Sequence, residues 1–102
     1  MTKYQIIYWR DIPVQVRARN GRSRLTHPLS PRFQKAVYRA AFRAKAISGF
    51  DYIQEWKPGD WLEREGEVQE VLTAVAAELE AAYNDERLAF IARNKGYEPD
   101  DR

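Results

Sequence analysis

The sequence predicts an α+β fold: a two-layer domain whose antiparallel sheet of three to four strands carries helices on one face, in the order β-β-(β)-α-β-α-α. Three observations predict it. Short runs of aromatic and β-branched residues open the chain, an Asn20-Gly21 pair separates two of them, and long segments with apolar residues at 3.6-residue spacing follow. With 102 residues, 44% of them apolar, the chain fits one domain over residues 1–96, followed by a flexible tail at 97–102.

Lys3–Arg10 (KYQIIYWR) is the first strand, and both its faces, Tyr4/Ile6/Tyr8 and Gln5/Ile7/Trp9, can cover apolar surface. Asp11 and Ile12 make a short loop. Pro13, which cannot donate to a ladder, belongs at the start of the next strand. Val14–Arg19 alternates, with Val14, Val16 and Ala18 inward and Gln15, Arg17 and Arg19 outward. Asn20-Gly21 signals a two-residue hairpin turn because both its central residues tolerate positive φ, so Arg22–Thr26 returns as an edge strand.

Ser30-Pro31 opens a helix, the serine accepting a free backbone N–H and the proline filling the first position. It runs to about Ala46, with Phe33, Val37, Ala40, Ala41 and Ala44 inward, and Ser48-Gly49 closes it. Phe50–Lys57 alternates like a strand, with Phe50, Tyr52, Gln54 and Trp56 on one face. Pro58-Gly59 is a turn, and Trp61-Leu62 packs over an edge of the core. Glu67–Tyr83 is the second helix, with an apolar stripe of Val68, Val71, Leu72, Val75, Ala76, Leu79, Ala82 and Tyr83. Glu67 and Glu70 suit the positive end of its dipole. Asp85 caps a last helix over Glu86–Asn94 that buries Leu88, Ile91 and Ala92, and Gly96 stops it.

The chain has no cysteine, which excludes disulfides, thiolate zinc sites, iron–sulfur clusters and a cysteine nucleophile. His27 is its single histidine, with no orienting carboxylate or nucleophile motif, and fits a loop residue with a local hydrogen bond. Asp60, Glu63, Glu65, Glu67 and Glu70 crowd around Gly66, but a calcium-loop register would place Trp61 and Leu72 at ligand positions. They fit a solvated helix entry. No phosphate-cradling glycine motif occurs. Gly49–Ile53 only partly follows an RNA-reading strand, since Ser48 replaces its base and Asp51 and Glu55 add negative charge. The expectation is therefore no catalytic residue, no metal and no cofactor. No apolar run approaches the roughly 20 residues of a membrane span, and the start carries no signal-peptide core, so the protein is expected to be soluble and cytoplasmic.

Charge is polarised along the chain. Residues 1–45 carry eleven Lys/Arg and one acid, whereas residues 46–102 carry six and fourteen. The basic residues fall on two elements: Arg17, Arg19, Arg22 and Arg24 on the hairpin, and Arg32, Lys35, Arg39 and Arg43 at spacings of three and four on the first helix, flanked by Tyr38 and Phe42. If hairpin and helix lie together they form one basic patch. Arginine beside aromatics is the composition of interface hot spots and of phosphate contacts. The expected function is a non-catalytic protein-interaction domain that docks an acidic protein surface. The alternative is RNA or a phosphate ligand on the same surface, with nucleic acid disfavoured because the acidic half repels a phosphate backbone. The complementary halves can also pair between chains, which leaves the oligomeric state open.

The run Tyr8-Trp9-Arg10-Asp11-Ile12-Pro13-Val14-Gln15-Val16 resembles the opening signature of a small bacterial family, the virulence factor domain. Gly21-Arg22, Arg32-Phe33, Ala40-Ala41 and Tyr52-Ile53-Gln54-Glu55-Trp56 resemble its later pattern, with Phe42 where the family usually shows Met. The resemblance spans about residues 3–83 and brings no catalytic residues. It implies an accessory or interaction module, linked to corrinoid and folate one-carbon enzymes, with longer relatives that join the domain to helical repeats. Trp9, Arg10 and Asp11 fall at a strand end and tight loop, where functional side chains often sit. Arg10 and Asp11 can equally pair to hold the turn while Trp9 packs into the core.

Overall fold

The computed structural model describes residues 1–46 and 48–99. The elements follow in order as β1 (Thr2–Trp9), β2 (Ile12–Asn20), β3 (Ser23–Pro28), α1 (Pro31–Arg43), α2 (Gly49–Ile53), β4 (Trp56–Pro58), β5 (Leu62–Arg64), α3 (Val68–Ala82) and α4 (Asp85–Arg93). Among the described residues the sheet has five strands, all antiparallel, in the order β3-β2-β1-β4. The other edge of β1 is shared: Ile7–Trp9 pairs with β4, and Thr2–Tyr4 with β5. This is the α+β class that the strand and helix periodicities predict.

Register separates the faces. Ile6 stands opposite Val16, and Tyr4 opposite Ala18, which in turn stands opposite Leu25. These residues share one face, and α3 packs across β1, β2 and β3. The core joins Val16 and Ala18 to Phe33, Val37 and Ala40 of α1, Val71, Leu72 and Val75 of α3, and Leu88 and Ile91 of α4. A bulge interrupts the β1–β2 ladder between Ile7 and Tyr8. Val14 has no place in that register, and its carbonyl accepts the Leu29 N–H at 2.9 Å, which leads the chain from the sheet into α1.

Five local expectations need correction. Phe50–Lys57 is not one strand but helix α2 followed by strand β4. Tyr52 and Trp56 are four residues apart as well as evenly spaced, so a short segment satisfies both periods, and Ser48 precedes a helical turn in which Tyr52 N–H donates to the Ser48 carbonyl at 3.0 Å. Ser48-Gly49 therefore opens α2 rather than closing α1. The closure of α1 falls on Lys45, at φ 58°, with Lys45 N–H donating to Phe42 O and Ala46 N–H to Ala41 O, the paired bonds of a Schellman end. The hairpin turn is Gly21-Arg22, since Asn20 pairs with Ser23. Gly21 takes positive φ, 62°, as a Gly-first turn requires. Asn84, not Asp85, caps α4, its Oδ1 accepting the Arg87 N–H at 2.8 Å. Trp61 and Leu62, expected over the core edge, are exposed, and Leu62 begins strand β5.

Among the described residues no helix is long and apolar enough to cross a membrane.

Candidate functional site

The candidate residues divide by place. The first set, Trp9, Arg10 and Asp11, forms a buckle. Trp9 is fully buried and donates its indole N–H to the Tyr52 carbonyl at 2.9 Å. Arg10 takes φ 53° in the two-residue connection between β1 and β2. Its Nε donates to Glu55 Oε1 at 2.9 Å and its Nη1 to the Lys95 carbonyl at 2.8 Å. The guanidinium also stacks against the rings of Trp9 and Tyr97, at 5.1 and 4.8 Å from their centroids. Asp11 donates its N–H to Gly96 O and accepts Glu98 N–H on Oδ2, both at 2.9 Å. Tyr97 and Glu98 of the expected tail are thus tied to the β1–β2 connection, while 100–102 lie outside the described residues. Burial, and then the charge of Asp11, raises the Tyr8 hydroxyl above its usual range, and burial raises Tyr83 against the opposing Arg87. Both phenols stay protonated at neutral pH. The arrangement holds chain segments together.

Arg32 is also committed internally. Its guanidinium donates to the Glu80 carbonyl at 2.7 Å and to the Tyr83 carbonyl, and pairs with Glu80 Oε1 at 2.9 Å and Asp85 at 3.2 Å. It closes the C-terminal end of α3, where a cation suits the exposed carbonyls. Ser30, expected to cap α1 through its side chain, instead donates its N–H and hydroxyl to the two Glu80 carboxylate oxygens at 2.7 and 2.8 Å.

The remaining cations of α1 point outward. Tyr38 and Phe42, one turn apart, are 60% and 72% exposed. With Arg39 and Arg43 they line a groove of about 450 Å³ against Ala89, Ala92 and Arg93 of α4. The two helices lie side by side, Arg32 meeting Asp85 near their starts, and the small alanines on α4 leave the groove open. Lys35 is exposed on the same helix. Arg93, which spacing on α1 could not reveal, adds a third guanidinium to this groove.

Arg17, Arg19 and Arg24 lie elsewhere, on the sheet face that alternation sets opposite Val16 and Ala18. Lys3 stands directly across from Arg19, and Arg19 directly across from Arg24. Arg19 stacks on Trp61 at 4.3 Å. Arg22 projects from the hairpin turn, exposed. Hairpin and helix cations therefore line different clefts. Lys3 and Trp61 escaped the sequence reading because only strand register brings them to the arginines.

A family model described as "Virulence factor" matches residues 7–91, most of the chain, so the chain belongs to that family. No curated protein and no solved structure matches it.

Proposed function

We propose that this member of the virulence factor family is a non-catalytic interaction domain that docks an acidic protein segment in the groove between α1 and α4. The observation that carries the reading is the exposure of Tyr38 and Phe42 beside three guanidinium groups, Arg39, Arg43 and Arg93. Two large aromatics left in water on one helix, one turn apart, gain most from a partner that covers them. The arginines around them select a partner whose rim is carboxylate-rich and speed its approach. An amphipathic helix with acidic flanks meets both demands. On the family resemblance, corrinoid and folate one-carbon enzymes are the first partners to assay.

The test is purification of tagged protein from its own organism, comparing wild type with an Arg39→Glu/Arg43→Glu variant and with Arg17→Glu on the sheet. Loss of a partner by the first variant but not the second is expected. Retention of every partner by the Arg39→Glu/Arg43→Glu protein overturns the reading.

A further inference from the structure

Lys3, Arg19 and Arg24 form a row across three adjacent strands, each directly opposite the next. Neighbouring strands stand about 4.8 Å apart, so the three cations share a strip roughly 10 Å long. Like charges placed directly opposite one another weaken a sheet. Among the described residues none of Lys3, Arg17, Arg19 and Arg24 has an ion-pair partner, although the chain is rich in carboxylates. The repulsion is left standing while Trp61 fixes the middle arginine in place by stacking at 4.3 Å.

Two shallow cups flank this row. One, of about 290 Å³, is lined by Lys3, Arg19 and Arg24 with Asn20 at the end of β2 and Gly21 of the turn. The other, of about 180 Å³, is lined by Arg17, Arg19 and Arg24 with Thr26 and Trp61. Arg19 and Arg24 belong to both. Glu63, directly opposite Lys3 on β5, ends the positive strip on that side.

We infer that this face is a binding site for a small anion with two adjacent phosphate groups, held by Arg19 and Arg24, which line both cups. Guanidinium groups suit this task, since their planar forks match phosphate oxygens. Two cups sharing two arginines suit a diphosphate better than a single oxyanion, which would leave one cup unneutralised. The strip is too short for a long polyanion, whose next phosphates would run onto Glu63. The site is independent of the α1–α4 groove.

Calorimetric titration of the full chain with pyrophosphate, ADP, orthophosphate and a single-stranded RNA oligomer tests this. Tryptophan fluorescence, assigned with a Trp61→Phe variant, is the second readout. The expected result is saturable pyrophosphate binding at least about tenfold tighter than orthophosphate, with a fluorescence change that Trp61→Phe abolishes. Binding should fall about tenfold or more in Arg19→Gln/Arg24→Gln and stay unchanged in Arg39→Gln/Arg43→Gln. ADP binding through the same arginines supports the inference and points to a nucleotide as the source of the diphosphate. Equal affinity for orthophosphate and pyrophosphate, equal binding by the Arg19→Gln/Arg24→Gln protein, or binding of RNA alone with a steep salt dependence overturns it.

Discussion

Gly96 lies against the ring of Trp9: a β-carbon built on it would stand 3.1 Å from the Trp9 Cζ3 atom. The same carbon would meet Arg10 Cδ at 3.1 Å and Arg10 Cβ at 3.2 Å. The contact gives the distinctive Tyr-Trp-Arg-Asp-Ile-Pro run a packing role. Its tryptophan fills the core, and its arginine and aspartate hold the segment that follows α4.

Replacing Gly96 by Ala tests that account. The residue has φ 98°, a region that side chains rarely adopt, and its neighbours are packed ring and arginine stem. Overpacking and backbone strain together should cost about 3 kcal/mol. Thermal unfolding should show a Tm lower by on the order of 10 °C or more. Gly49→Ala, with nothing within 4 Å of its new β-carbon, is the control and should change Tm little. Equal effects at the two positions would contradict the buckle.

Lys45 offers the opposite case. It takes φ 58° at the end of α1 and is exposed, so its β-carbon strains the backbone and its side chain has little packing to lose. Lys45→Gly should raise stability by about 0.5–1 kcal/mol in denaturant titration. Lys45→Ala, which keeps the β-carbon, should gain much less. An equal gain from both would show that charge rather than backbone conformation sets the effect.

Glu80 makes stability depend on acid. Burial alone would raise its carboxyl, but the Ser30 N–H and hydroxyl and the Arg32 guanidinium outweigh burial and hold it below the ordinary carboxylate range. A carboxyl lowered on folding stabilises the protein above its unfolded pKa, roughly 4.3, and that contribution fades as pH falls through the folded value. Glu80→Gln should therefore be less stable than wild type at pH 7, with the gap narrowing as pH falls below about 4. A gap that stays constant between pH 7 and pH 3 would remove Glu80 from acid unfolding.

Local pattern carried the α+β class, the cores of α1 and α4, that of α3 except for Ala82, which is exposed, and the burial of Trp9, because each follows from a period within about fifteen residues. It failed where two periods coincide, as at Tyr52 and Trp56, and where a turn slid by one residue at Gly21. The candidate site was half legible. Tyr38, Arg39, Phe42 and Arg43 share one helix, so spacing alone groups them, whereas Arg93 joins them only through helix packing. Arg32 fits their stripe equally well by spacing, yet Glu80, 48 residues away, draws it to the end of α3. Lys3 and Arg19 are 16 residues apart and become neighbours through strand register, which the β1–β2 bulge helps to set.

The row across the sheet makes a prediction that needs no ligand. Arg24 sits opposite Arg19, and no described carboxylate pairs with either, so removing one charge should relieve repulsion. Arg24→Gln keeps a long polar side chain and most of the stem that covers the strand. It should stabilise the free protein by about 0.2–1 kcal/mol at low salt. Because both groups are near solvent, the gain should vanish toward 1 M salt, where the screening length falls to about 3 Å. Pyrophosphate should reverse the order, raising the Tm of wild type above that of the variant, since the intact pair binds the polyanion more tightly. If Arg24→Gln lowers stability at low salt, or its gain persists unchanged in high salt, the arginines are not in electrostatic conflict and the case for a site maintained against repulsion falls.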